Sequence, residues 1–248
     1  MEKSTIKWAM YLNYFVFAIL LNSVGIVILK AQRNYGVDEL EASILEAFKD
    51  LPIAIVSFLV ASFLPRIGYK RAMLIGLGLV YMACIVMYFG NSFATAKLLF
   101  ATVGVSFALI KVSVYSLIGT VTENQQEHNS LMSSIEGVFM IGISLAYFLF
   151  PAFNSETNPD AWLNVYWLLA GISGVSFAFL FLAKSENQVE VPGVNLLDDF
   201  RQMFQLMAKL LTIVFVISAF LFVMIEQGIM SWLPTFNSKV LHLPENIS

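Results

Sequence analysis

The sequence predicts an all-α membrane protein, and three observations carry that reading. Of 248 residues, 58% are hydrophobic and 12% are charged, with a mean hydropathy of +0.77. A soluble domain is about 45–50% apolar and about 25% charged. The apolar residues also fall in continuous runs, where the strands of a membrane barrel would alternate over about 9–11 residues. Finally, the basic residues other than Lys49 and Lys111 collect in the gaps between runs and form no nucleic-acid patch, so no nucleic-acid partner is expected.

A membrane-crossing helix needs about 20 mostly apolar residues, and the chain offers about seven such runs. The first is Trp8–Leu29, too long for a signal-peptide core and without a small-residue cleavage site, so it reads as a retained helix. Ala42–Leu64, Met73–Phe89, Leu98–Thr120, Leu131–Phe153 and Trp162–Ala183 follow, and Leu210–Trp232 is the seventh. Cys84 is the sole cysteine and lies inside a run, so no internal disulfide forms. Lys3, Lys7, Arg66, Lys70, Arg71, Lys184, Arg201 and Lys209 fall on one side of this layout. Lys30, Arg33, Lys97 and Lys239 fall on the other. The positive-inside rule then places the N-terminus in the cytoplasm.

The connection 184–209 is the longest and most acidic. Within "NLLDDFRQMFQLM", Leu196, Leu197, Phe200, Met203, Phe204 and Met207 recur at helical spacing. That stripe predicts an amphipathic helix on the cytoplasmic face. Three parts are therefore expected: a six-helix bundle over 1–183, a cytoplasmic connection over 184–209, and a new span within 210–248.

Six spans, a long inner connection and a further span resemble the major facilitator superfamily, whose members have two six-span halves. "ASFLPRIGYKR", Ala61–Arg71, is similar to the loop signature of that family: Arg66, Gly68, Lys70 and Arg71 match, while Ala61 stands for the usual Gly and Pro65 for the usual Asp. The resemblance implies a cytoplasmic gating loop at these residues and alternating access around a midplane site. It also implies about five further spans beyond Ser248, the missing C-terminal half of the same protein. "EQGIMSWLPTF", Glu226–Phe236, resembles the seventh span of fucose-permease-type sugar–proton symporters. In their fourth span an acid precedes Asn-Pro; here Lys111 takes the place of the acid and Tyr115-Ser116 that of Asn-Pro. Asn22-Ser23 stands where the first span usually has Asn-Asp. The resemblance implies transport of a sugar or sugar-acid-like solute with a coupling ion, expected to be a proton, and a cell membrane is expected, the inner membrane if the cell is Gram-negative.

Charged residues inside spans mark candidate sites. Glu46, Lys49 and Asp50 share one face of the second span. They form either an outer cap, in which Lys49 neutralises one carboxylate, or a vestibule with one acid to spare. Lys111 in the fourth span and Glu136 in the fifth lie within about a turn in depth, counting about 1.5 Å per residue. A Lys–Glu pair is expected, either a static strut or a bridge that opens during transport. An opening bridge would leave a positive charge in the cavity and favour an anionic solute. Glu226 and Gln227 of the seventh span, Asn22 of the first and Tyr115 of the fourth complete the candidates for substrate or coupling contacts. Trp232 is expected at the outer interface.

His128 and His242 lie in loops, and neither a phosphate loop nor a metal-ligand spacing occurs, so no enzyme, metal or cofactor is expected. A seven-helix receptor would need an outside N-terminus, and a retinal protein a lysine in its last span. An efflux pump of the same superfamily is the serious rival.

Overall fold

The computed structural model describes residues 2–155, 157–183 and 205–243. It is helical throughout, with no strand among the described residues. The helices are α1 (Glu2–Asn22), α2 (Val24–Asn34), α3 (Glu39–Ile67), α4 (Tyr69–Gly90), α5 (Phe93–Val121), α6 (Gln125–Ala152), α7 (Val165–Leu182) and α8 (Leu210–Lys239). A single 3-10 turn, Ala161–Asn164, leads into α7. Among the described residues six segments are long and apolar enough to cross a membrane, Phe93–Val121 and Leu210–Lys239 among them. The 29 residues of α3 cover about 43 Å at about 1.5 Å per residue, also enough to cross. Most of the expected amphipathic helix lies outside the described residues; 205–207 are helical.

Short polar side chains set the helix starts. Asp38 accepts from the Glu41 amide at 2.7 Å and Asn124 from the Glu127 amide at 2.8 Å. Ser92 and Thr95 form a reciprocal capping box. These caps occupy amides that have no partner within their own helix. The expected first span is interrupted at Ser23, whose hydroxyl donates to Leu20 O at 2.7 Å. A serine that bonds back to its own helix favours a bend there. The seventh span also outruns its expected end. It passes through Trp232 and Pro234 to Lys239, and Trp232 packs partly buried against the core.

The helices alternate in direction, as the contacts at the two faces require. On the face where α1 begins, Lys7 pairs with Glu127 at 2.8 Å, and Lys70 donates to Phe181 O and Ala183 O at the end of α7. On the opposite face, Tyr35 donates to Asn91 at 2.9 Å and Lys239 pairs with Glu39 at 2.7 Å. Burial, and then the negative charge of Asp160, push the Tyr35 phenol up to about 12, so it stays a hydrogen-bond donor near neutrality. In the bundle α5 packs between α3 and α4, α4 against α7, and α1 against α6 and α7. Trp162, Tyr166, Phe17, Phe100 and Phe150 fill its core.

Lipid is as apolar as a leucine side chain, so close backbone approach matters more than hydrophobic burial in joining such helices. Gly104 of α5 shows this: a Cβ there would lie 2.3 Å from Lys49 O of α3. The α8 helix is joined differently. It meets the bundle through its last third, where Ser231, Pro234, Thr235 and Ser238 are buried, mainly against α2. Pro234 has no amide hydrogen to give to Met230 O four residues back. That carbonyl and Ser231 O lie where a Cβ on Gly25 would be, at 2.8 and 2.7 Å. Arg33 also bonds Ser238 across this contact. Between Leu210 and Ile225 the side chains of α8 are nearly all exposed.

Candidate functional site

Between the helices lies a cavity of about 230 Å³. The α6 helix presents Glu136, Phe139, Met140 and Ile143 to it, a spacing of i, i+3, i+4, i+7 that puts all four on one helical face. From α5 come Phe107 and Lys111, one turn apart. Lys49, Asp50 and Ile53 of α3 form a further wall, with Tyr14, Leu21 and Asn22 of α1 and with Glu226 and Gln227 of α8. Five ionisable side chains thus meet in one space: Lys49, Asp50, Lys111, Glu136 and Glu226. Taken as ionised they sum to one negative charge.

Lys49 is buried, with 4% of its side chain exposed, against 52% for Asp50, and their charged atoms are 3.5 Å apart. Lys49 also donates to Gln227 Oε1 at 3.2 Å, which ties α3 to α8 across the cavity. The expected pairing within the Glu46–Lys49–Asp50 cluster is therefore Lys49 with Asp50. Glu46 is the spare acid, and it does not line the cavity; its Oε1 is buried without a hydrogen-bond partner. Three or four residues of offset along α3 separate the two environments.

The expected Lys111–Glu136 bridge is not formed. Glu136 Oε1 accepts from the Tyr115 hydroxyl at 2.6 Å. The Lys111 ammonium instead lies over two rings, 5.7 Å from the centroid of Phe107 and 5.8 Å from that of Tyr115. Tyr115 sits one turn beyond Lys111 on α5, and its hydroxyl reaches the carboxylate first. Lys111 and Glu136 share the cavity, and Tyr115 touches both. The two residues meet in depth, as the count along their helices predicts, but not in charge.

An aromatic group backs this arrangement. Tyr14 lies 5.8 Å from Phe139 and 6.2 Å from Phe107, and Phe107 lies 6.0 Å from Phe139, measured between centroids. Sequence reasoning passed over Tyr14, Phe107 and Phe139. The signal for Phe107 was present in its four-residue offset from Lys111, and that for Phe139 in its three-residue offset from Glu136. Asn22 lines the cavity and spends its amide on Ala18 O at 2.8 Å. Tyr11 bonds Ser134 at 2.7 Å and is not among the lining residues.

In the loop between α3 and α4, Gly68 has φ +91°, a conformation that favours glycine. Lys70 caps the end of α7 within the bundle, and Arg71 is exposed. The side chain of Arg66 lies outside the described residues. Among the described residues no group of three His, Cys, Asp or Glu could hold a metal ion.

No curated protein matches the chain. Residues 10–248, nearly the whole sequence, match the family model of the Major Facilitator Superfamily. The chain therefore belongs to the Major Facilitator Superfamily and is a multi-pass membrane transporter.

Proposed function

We propose that this chain is a proton-coupled secondary transporter that moves a small solute of about monosaccharide size by alternating access, with the cavity as its site. The observation that carries this reading is the gathering of Lys49, Asp50, Lys111, Glu136 and Glu226 from four helices around one space inside an apolar bundle. Ionisable groups at membrane depth are costly and mark solute or proton paths. The cavity of about 230 Å³ is the share of the site that these helices line. Glu136 is the candidate proton carrier, since it alone of the cavity acids takes a tyrosine hydroxyl. The gating-loop residues Arg66, Gly68, Lys70 and Arg71 would hold the cytoplasmic turn. The remainder of the transporter, a second half of the same protein, would close the other side of the site. The membrane is proposed to be the inner membrane, with the N-terminus in the cytoplasm on the positive-inside pattern.

The test uses vesicles containing the purified protein, expressed from its native reading frame, with and without an imposed pH gradient. Wild type is expected to accumulate solute when the outside is acidic. Glu136→Gln is expected to lose accumulation while keeping exchange of labelled for unlabelled solute. Gradient-driven accumulation by Glu136→Gln at the wild-type level would remove Glu136 from proton coupling. Singly placed cysteines at Ser4 and Ser155 test orientation. Labelling of the first and not the second from outside by an impermeant thiol reagent would reverse it.

A further inference from the structure

We infer that the solute is a polyhydroxylated monocarboxylate, of the sugar-acid class, whose carboxylate is bound by Lys111 and whose hydroxyls are bound by the cavity acids. The inference rests on the proposed transport site and goes beyond it by naming the charge and the donor pattern of the ligand.

The first support is the state of Lys111. An ammonium has three donors and no acceptor capacity. Here it rests on the faces of Phe107 and Tyr115, and no carboxylate or other acceptor among the described residues engages it. Of the three cavity acids, Asp50 faces Lys49 and Glu136 holds the Tyr115 hydroxyl, and Glu226 forms no ion pair with Lys111 among the described residues. A carboxylate entering the cavity would give Lys111 the charge-assisted hydrogen bond that the rings do not.

The second support is the surplus of acceptors. Among the described residues, Glu226 lines the cavity without an ion-pair partner and Glu136 takes a single hydroxyl. Asn22 has committed its amide nitrogen to Ala18 O, which leaves its carbonyl oxygen as an acceptor. Carboxylates and a carbonyl accept and do not donate, so they suit a ligand rich in O–H groups. A fatty or aromatic carboxylate would satisfy Lys111 and leave these acceptors dry and unpaired, at a cost. A polyhydroxy acid satisfies both sets. Its apolar C–H face has the rings of Tyr14, Phe107 and Phe139 to lie against.

An amine is the competing ligand, because Glu226 and Glu136 could receive an ammonium. It would leave Lys111 without an acceptor and place a second positive charge in the same small space.

A charge series on one ring separates these. Uptake of glucuronate, glucose and glucosamine is measured in vesicles, with benzoate as the carboxylate that lacks hydroxyls. Glucuronate is expected to be taken up in preference to the other three. Lys111→Met should raise its half-saturating concentration about tenfold or more, and Lys111→Arg should stay close to wild type. Size-exclusion and melting profiles establish that each variant is folded. If Lys111→Met does not fold, Lys111→Gln takes its place. Preference for glucose or glucosamine over glucuronate, or equal uptake of benzoate, would overturn the sugar-acid inference while leaving transport intact. An unchanged half-saturation in folded Lys111→Met would overturn the role of Lys111. Movement of none of the four, in wild type, would overturn the proposed transport site itself.

Discussion

The contact between α2 and α8 can be tested with a single methyl group. Gly25→Ala places a Cβ 2.7 Å from Ser231 O and 2.8 Å from Met230 O, both main-chain atoms that no rotamer change can remove. Ordinary C–H···O contacts lie at about 3.3–3.6 Å. The helices must therefore part by about half an ångström, at the main contact between α8 and α2. Overpacking of this kind costs about 1–3 kcal/mol, which corresponds to a shift of about 5- to 150-fold in a two-state equilibrium. If α8 leaves α2 in the other half of an alternating-access cycle, that cost falls on one state alone. Spin labels on cysteines at Asn34 and Val240, both exposed, report the separation of the two helix ends. Gly25→Ala is expected to enlarge a longer-distance population already present in wild type. A fall in Tm with a single unchanged distance would mean that the contact is static. An unchanged distance together with an unchanged Tm would refute the close crossing.

Three other outcomes follow from the geometry. Tyr115→Phe removes the 2.6 Å bond to Glu136 and little volume, so the protein should fold while uptake falls about tenfold or more; wild-type uptake would make that bond incidental. Gly68→Ala meets no atom within 4 Å, so its cost is backbone strain alone, about 1–2 kcal/mol and a few degrees in Tm, read by a melt in detergent. Lys70→Met uncaps α7 and is expected to cost about 0.3–1 kcal/mol, with faster amide exchange confined to the last turn of that helix.

The positions of the helices were legible because lipid permits few alternatives: a long apolar run must satisfy its own backbone, and helix does so. The stripes of the cavity were legible in part, since Phe107, Lys111 and Tyr115 recur every four residues and Glu136 and Phe139 every three. Partner choice was not. Counting along a helix gives depth but not which neighbour an end group meets, so the carboxylate of Glu136 was assigned to Lys111 when Tyr115 holds it. For the same reason the sequence leaves open which acid of the α3 cluster is spare, and a turn of α3 separates the surroundings of Glu46 from those of Asp50. Gly104 illustrates a different limit. A small residue in a span leaves room for a ligand or for a helix, and only the position of Lys49 O shows that the room is taken by α3.

The long exposed stretch of α8 bears on biosynthesis. From Leu210 to Ile225 this helix has almost no side chain buried against the bundle, and beyond its first turn its amides bond within the helix. Its fold there does not depend on tertiary neighbours among the described residues, and a bilayer favours helix in such an apolar run. Insertion and docking of α8 are thus separable events, with the bundle able to assemble first and the Gly25 crossing to form afterwards. A ribosome-bound chain could hold α8 in lipid, already helical, before any of its partners is in place.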